Sequence, residues 1–300
     1  MAKRKNKKQT KKLIGIIVAI ILAFLSFEAK DAVTGNAPVG DITEDNAIYV
    51  HFIDVGQGSS TLIQQGSLGI LIDAGEKAYG QVVIDYLNKV GITSLEYVVA
   101  SHPHSDHIGG LDDVLNAFPT DKIIMPELAE FNTPTTRVYE DLLEAIYDNG
   151  TVTEFIFDEG YHHVLNDEIT IRAIAPVEQD DNLNNMSIIC NVEVFDTTFA
   201  VLADAEKAEL KSIYDKTIYD FSADVVALGH HGSSTSIYEP FLDAVNADVA
   251  VISCGKGNSY GHPHEEALDY ISANAMTSLR TDEMGDIVFK VTEEGYSLVA

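Results

Sequence analysis

The stretch "SHPHSDHIGG", residues 101–110, constrains this 300-residue chain more than any other. It places three of ten histidines and an aspartate within six positions. A mostly apolar run, "LEYVVA" (95–100), leads into it and reads as a strand that ends at Ala100. In extended chain, residues two apart project to the same side, so His102 and His104 can grip one cation together. Asp106 and His107 follow at the expected N-terminus of a helix that starts near Gly109, where they can face a second cation. Gly109 and Gly110 let the backbone turn close to such ions.

The flanking sequence supplies a scaffold. The runs "AIYVHFIDV" (47–55), "STLIQQG" (60–66) and "GILIDAG" (69–75) read as an antiparallel meander. Helical spacing follows in "YGQVVIDYLNKVG" and in "TRVYEDLLEAIYDNG", each closed by glycine. The second half repeats the style. Its strand runs are "EITIRAIAP", "SIICNVEVF", "TFAVLAD", "ADVVALGHHG" and "ADVAVISCG", its helices "EKAELKSIYDKTI" and "HEEALDYISANA", and its closing strands "DIVFKV" and "YSLVA". Two β-rich layers with helices outside make an α+β fold, an αββα sandwich in one domain spanning 47–300.

The N-terminus reads as an address. Residues 1–27 pair a basic tail, "MAKRKNKKQTKK", with the 15-residue apolar run "LIGIIVAIILAFLSF". That pattern is a signal anchor or a signal peptide, with the anchor favoured because "SFEAKDA" offers a poor cleavage site. Residues 28–46, polar and turn-rich, read as a linker. The expectation is a domain on the extracellular face of the membrane, or secreted if the segment is cut. Charge is uneven: seven of the 19 Lys and Arg lie in 1–27, which leaves 12 against 47 acids, or −35, for the rest. Such a surface does not draw nucleic acid by long-range attraction. No protein partner is evident. Cys190 and Cys254 sit in apolar strand-like runs and read as buried free thiols.

His102-x-His104-x-Asp106-His107 resembles the signature of the metallo-β-lactamase fold. Together with "HFIDVGQGSSTLI", "NNMSI", "ALGHHGSS" and "YGHPHEEAL", it resembles the extracellular metallo-β-lactamase-like domain of ComEC-type competence proteins. The resemblance implies roles for residues elsewhere. Asp73 orients a ligand histidine, Asp204 bridges two metals, and His230 and His231 compete to be the last ligand, with His231 favoured and His230 turned to substrate. Asn185 and Ser187 match an Asn-x-Ser element, with Asn185 a substrate contact or a ligand through its amide oxygen. His262 matches a late His-Pro and contacts phosphate. Asp54 and Gln57 stand near the substrate. Glu206, read from its position two residues past Asp204 rather than from the resemblance, points into the site or else serves as a first-turn helix glutamate. Two departures matter. Ser59 replaces an acid, and the histidine many members of the fold carry between the motif and the bridging acid is missing. His162 and His163, the only histidines there, read as loop residues. His51 reads as a half-buried strand histidine.

The implied function is metal-dependent hydrolysis of phosphodiesters, DNA among them, by a hydroxide activated between two divalent cations, Zn²⁺ or Mn²⁺. One cation takes His102, His104 and Asp204, the other Asp106, His107, Asp204 and His231. Asp106, His230 and His262 are the catalytic candidates. Two alternatives stand beside this: a surface phosphorylcholine-type esterase, and a non-catalytic binding module.

Overall fold

The computed structural model describes residues 47–158, 161–164, 166–216 and 220–300. The anchor and linker assigned to 1–27 and 28–46 lie outside these residues. Among the described residues, no helix is long and apolar enough to cross a membrane.

The strands, in chain order, are β1 (Ile48–Phe52), β2 (Thr61–Gln65), β3 (Leu68–Ile72), β4 (Ser94–Val99), β5 (Thr120–Pro126), β6 (Val152–Ile156), β7 (Tyr161–Val164), β8 (Ile169–Ile174), β9 (Ile189–Val194), β10 (Thr197–Val201), β11 (Val225–Ala227), β12 (Val249–Ile252), β13 (Thr277–Arg280), β14 (Ile287–Thr292) and β15 (Gly295–Leu298). They form two mixed sheets, an eight-stranded β15-β14-β1-β2-β3-β4-β5-β6 and a seven-stranded β13-β12-β11-β10-β9-β8-β7. The meander read at 47–75 is antiparallel as expected, β1 against β2 and β2 against β3. Beyond it β3, β4, β5 and β6 run parallel, as do β10 through β13.

Among the described residues, four helices lie in the first half: α1 (Gly80–Lys89), α2 (Ser105–Ile108), α3 (Leu111–Ala117) and α4 (Arg137–Asn149). Four lie in the second: α5 (Lys207–Lys216), α6 (Glu239–Val245), α7 (Glu265–Ala273) and α8 (Thr281–Met284). Thr136 caps α4 by accepting from the Tyr139 N–H, and Gly150 ends it at φ 66°.

Period-two alternation decides what each strand buries. Ile48, Val50 and Phe52 of β1 meet Val192, Val194, Phe199 and Val201 of β9 and β10 between the sheets. The Phe289 ring joins the layers, its centroid 6.1 Å from Phe52 and 5.6 Å from Phe199. Each buried ring contributes roughly 1.5–3 kcal/mol. The alternate residues Ile189, Ala200, Val226, Ala250 and Ile252 face outward and are covered by Leu210 and Ile213 of α5, by Phe241 and Leu242 of α6, and by Ile271 of α7. The cysteines do not pair. Cys190 faces the inter-sheet core, while Cys254 lies in the cluster on the other side of the same sheet.

One expectation fails. His162 and His163 are not in a loop: they lie on β7, the edge strand, in register with Arg172 and Ile171 of β8. A short polar edge strand lacks the apolar run that would announce it. The parallel strands place the rest. Ile72 and Val99 end side by side, and so do Val201 and Ala227. The loops after these carboxyl ends meet at one edge of the sandwich, where Ile188 N–H donates to the Ser101 carbonyl at 2.8 Å.

Candidate metal centre

Asp73 follows β3 with a left-handed φ of 60° that turns its carboxylate under the 101–110 loop. It accepts from the Ser101 N–H at 2.9 Å, the Ser101 hydroxyl at 2.7 Å and His107 Nδ1 at 2.7 Å. An ionised carboxylate can only accept. The His107 proton therefore sits on Nδ1, and Nε2 is turned into the centre. Gly109 and Gly110 are required by crowding. A Cβ at Gly109 would lie 2.3 Å from Lys77 N, and one at Gly110 2.5 Å from the Ala74 carbonyl oxygen.

Asp106, His107, Asp204 and His231 come together so that one ligand atom from each lies within 4.8 Å of all the others. His107 Nε2 is 3.0 Å from Asp204 Oδ1, and His231 Nε2 is 3.2 Å from Asp106 Oδ2 and 3.7 Å from Asp204 Oδ1. His231 Nδ1 donates to the Ser253 carbonyl at 2.9 Å, which aims Nε2 inward. Beside this group, His102 Nε2 lies 3.0 Å from His104 Nδ1 and 3.9 Å from Asp204 Oδ2. The Asp204 carboxylate thus faces both sets, one oxygen toward each.

This donor set fits two divalent cations. His107 Nε2 and Asp204 Oδ1 are buried and close, yet neither makes a hydrogen bond of good geometry, which is how two ligands look when both point at a third body. Imidazole and carboxylate without thiolate suit Zn²⁺, Mn²⁺ and similar ions. The electrostatics agree. Burial pushes Asp204 up, but His107, His231 and His102 hold it well below the usual carboxylate range. Burial pushes His107 down, but Asp204 and Asp73 drive it well above an ordinary imidazole. The buried carboxylates of Asp73 and Asp204, with the half-buried Asp106 beside them, call for positive charge.

The other sequence candidates are distributed unevenly. Ser187 is in place: its hydroxyl accepts from the Asp204 N–H at 3.2 Å. His230 lies at the mouth with Nε2 3.8 Å from Asp204 Oδ2 and Nδ1 3.3 Å from Glu206 Oε1. His262 stands beside it, ring centroids 5.5 Å apart, and receives Gln57 Nε2 at 3.3 Å on Nδ1. Gln57 Oε1 accepts from the Gly255 N–H at 3.0 Å, which fixes the amide's orientation. Asp54 stays out: its carboxylate closes a turn by accepting from the Gly56 N–H. Asn185 gives its amide nitrogen to Asp180 Oδ2 at 2.8 Å, and its Oδ1 is buried without a partner. In a one-turn 3₁₀ segment, Leu183–Met186, adjacent side chains diverge, and Asn184 lies against the His104 imidazole. His51 is fully buried rather than half-buried, held between Tyr86 and Gln64 away from the centre. Tyr260, two thirds exposed at 66%, stacks on His262 at 5.6 Å, and no pattern in the sequence marks it out.

Residues 53–175 match the profile of the Metallo-beta-lactamase superfamily. The chain carries a metallo-β-lactamase superfamily domain. This domain's relatives include ComE operon protein 3 of Bacillus subtilis (strain 168), 27% identical over 262 residues that cover 80% of this chain and 33% of that protein. Competence protein ComA of Neisseria gonorrhoeae is 30% identical over 260 residues, 84% of this chain and 33% of that one. The chain therefore spans about a third of the length of these relatives. Among solved structures, CmlA, a diiron beta-hydroxylase from Streptomyces venezuelae, superposes with a TM-score of 0.53 at 11% identity over 82% of this chain and 54% of that one. At that identity the likeness concerns the metallo-β-lactamase fold alone.

A cleft of about 710 Å³, lined by residues such as Glu168, Phe195, Lys290 and Tyr296, includes no member of the centre. Size does not mark the site here. The convergence of donors does.

Proposed function

We propose that this domain hydrolyses phosphodiesters using two divalent cations, and that the chain is exported and held at the outer face of the membrane by residues 1–27. The observation that carries the hydrolytic reading is Asp204, buried and facing both the His102–His104 pair and the Asp106–His107–His231 group. Cations held there would lower the pKa of water and neutralise a phosphoryl oxygen.

The chain's own groups do the rest. His230 has Nδ1 tied to Thr235 Oγ1 at 3.0 Å and to Glu206, so Nε2 faces the mouth and can pass a proton to a leaving oxygen. Burial, then the neighbouring His231, His230 and His264, push His262 down to about 4, so at neutral pH it is uncharged. With Nδ1 accepting from Gln57, its proton is on Nε2, a donor for a phosphoryl oxygen. Asp73, Ser101 and Ser253 hold His107 and His231 in the tautomers that leave Nε2 free. The acidic surface opposes an anionic substrate at long range, but cations held in the cradle would dominate the local field.

DNA is the substrate this reading favours, because the relatives are competence proteins and Tyr260 offers a face on which a base can stack. A second reading is a phosphorylcholine-type esterase, since the same exposed ring and the acidic surface would also receive a choline cation. The full chain should be assayed with linear DNA, bis(p-nitrophenyl) phosphate and glycerophosphocholine, with Mn²⁺ and Zn²⁺ in turn. Asp204→Asn is expected to lower kcat/KM by about 100-fold or more. Release of choline without cleavage of DNA would select the second reading. Failure to cleave any diester with either cation would leave the binding-module reading in possession.

A further inference from the structure

The two halves of the centre are unequal. Asp106, His107 and His231 serve one side together with Asp204, whereas His102 and His104 stand with Asp204 alone on the other. The turn Leu183–Met186 brings Asn184 beside His104. Asn184 is 8% exposed, and its Oδ1 is wholly buried with no hydrogen-bond partner. Its Nδ2 donates to Glu206 Oε1 at 3.1 Å. Because a carboxylate cannot donate, that bond fixes which end of the amide is which, and the oxygen is turned away from Glu206. The side chain lies against the His104 imidazole. A buried acceptor lacking a donor is a standing cost in any fold. It also cannot face a phosphoryl oxygen, which is another acceptor. A cation satisfies it.

We propose that Asn184 Oδ1 completes the shell of the His102–His104 cation, and that Glu206 is the positioning residue that aims it. This rests on the two-cation reading above. The bonds of Glu206 suit it to that role. Its Oε2 accepts from Asn182 Nδ2 at 2.9 Å, Oε1 holds Asn184, and His230 Nδ1 is 3.3 Å away. One carboxylate therefore anchors the two sides of the mouth. A neutral oxygen where an imidazole could stand makes this half of the centre weaker for Zn²⁺ and better matched to Mn²⁺. Asn185, next in sequence, also has a buried Oδ1 without a partner, but its Nδ2 is held by Asp180, and it is Asn184 that lies against the His104 imidazole.

The test is metal titration of the full chain after chelation, by calorimetry and by Mn²⁺ paramagnetic resonance, neither of which reads activity. The wild type is expected to bind two Mn²⁺ ions with unequal affinity. Asn184→Ala is expected to weaken one site by roughly 10–100-fold and leave the other within twofold. Asn184→His is expected to recover that site and shift its preference toward Zn²⁺. Glu206→Gln is expected to weaken the same site by a smaller factor. If Asn184→Ala does not fold, Asn184→Leu keeps the shape of the side chain without its oxygen and carries the same expectation. Two unchanged affinities, or a loss that histidine does not recover, overturn the proposal. Fewer than two ions on the wild type would instead sink the two-cation reading itself.

Discussion

Asp73→Asn is the sharpest probe of how the centre holds its imidazoles. Asn tolerates a left-handed φ of 60° as readily as Asp, so the backbone does not resist the change. The hydrogen bonds do. All three partners of Asp73 donate: His107 Nδ1 at 2.7 Å and the Ser101 hydroxyl at 2.7 Å to Oδ2, and the Ser101 N–H at 2.9 Å to Oδ1. An amide has one oxygen, so one edge must set N–H against N–H. If that edge faces the Ser101 N–H, two donors are opposed where nothing is exposed to water, which costs ~1–3 kcal/mol of stability. If it faces His107, the imidazole is driven to the tautomer with the proton on Nε2, the atom 3.0 Å from Asp204 that must stay free for a cation. That outcome costs 10–100-fold in metal affinity, or ~1.4–2.7 kcal/mol. Calorimetric titration with Mn²⁺ and thermal melts of the metal-free chain separate the two. A variant within ~0.5 kcal/mol of wild type on both measurements would refute the account of Asp73 as the element that sets the His107 tautomer.

His51 and Glu209 supply two pH predictions. Burial pushes His51 down to about 3, so the native state excludes a proton that the unfolded chain binds below about pH 6.5. Its contribution is complete above that pH and is lost as pH falls, ~2 kcal/mol by pH 5; His51→Gln should shrink the drop in urea-unfolding stability between pH 7.5 and 5 by about that amount, and an unchanged acid limb would count against it. Glu209 is buried with both carboxylate oxygens unbonded, and burial pushes it well above the usual range. A raised carboxyl stabilises the fold only at acid pH and loses that contribution as pH rises through its folded value. Glu209→Gln should therefore gain stability over wild type at pH 8 and lose the advantage below pH 4; a variant less stable at pH 8 would show that the ionised form is the one the fold needs.

How far the sequence reveals this molecule depends on where each signal lies along the chain. The 101–110 segment is legible alone because four polar ligands follow one apolar strand without interruption. Asp73, Asp204 and His231 are each ordinary in their own segment, and only the order of motifs suggested by resemblance singles them out. The structure supplies what order cannot, four strand ends brought to one edge. His51 shows a limit of alternation. Its strand residues alternate between two faces, but in a layered sandwich both are covered, so the polar phase faces α1 rather than water. Asn184 and Asn185 show another. In a 3₁₀ turn of four residues the phase is set by packing, and two adjacent asparagines are indistinguishable until Glu206 and Asp180 have each taken one. The segment 239–245 announces no element because Pro240 looks like a breaker, although in the first turn of α6 it fits the helix.

The backbone gives an independent reason to locate function at this edge. Eight described non-glycine residues have a left-handed φ. Asp158, Phe195, Asn246 and Ala275 lie in exposed or half-exposed turns, where such a residue reverses the chain. The other four, Asp73 at 60°, Ala203 at 48°, His230 at 51° and His231 at 56°, are in the loops that build the centre. Each costs of order 1–2 kcal/mol for an L-residue, so together they consume an amount comparable to the net stability of a domain. Local bonds hold them there: Asp73 N–H to the Val99 carbonyl at 2.9 Å, and His230 N–H to the Ala203 carbonyl at 2.8 Å. Relaxing any of these turns would swing a carboxylate or imidazole out of the cradle. Strain and buried negative charge thus fall on the same few residues, and bound cations would relieve the charge, which makes the ligand-free fold the costly state and ion binding the compensation.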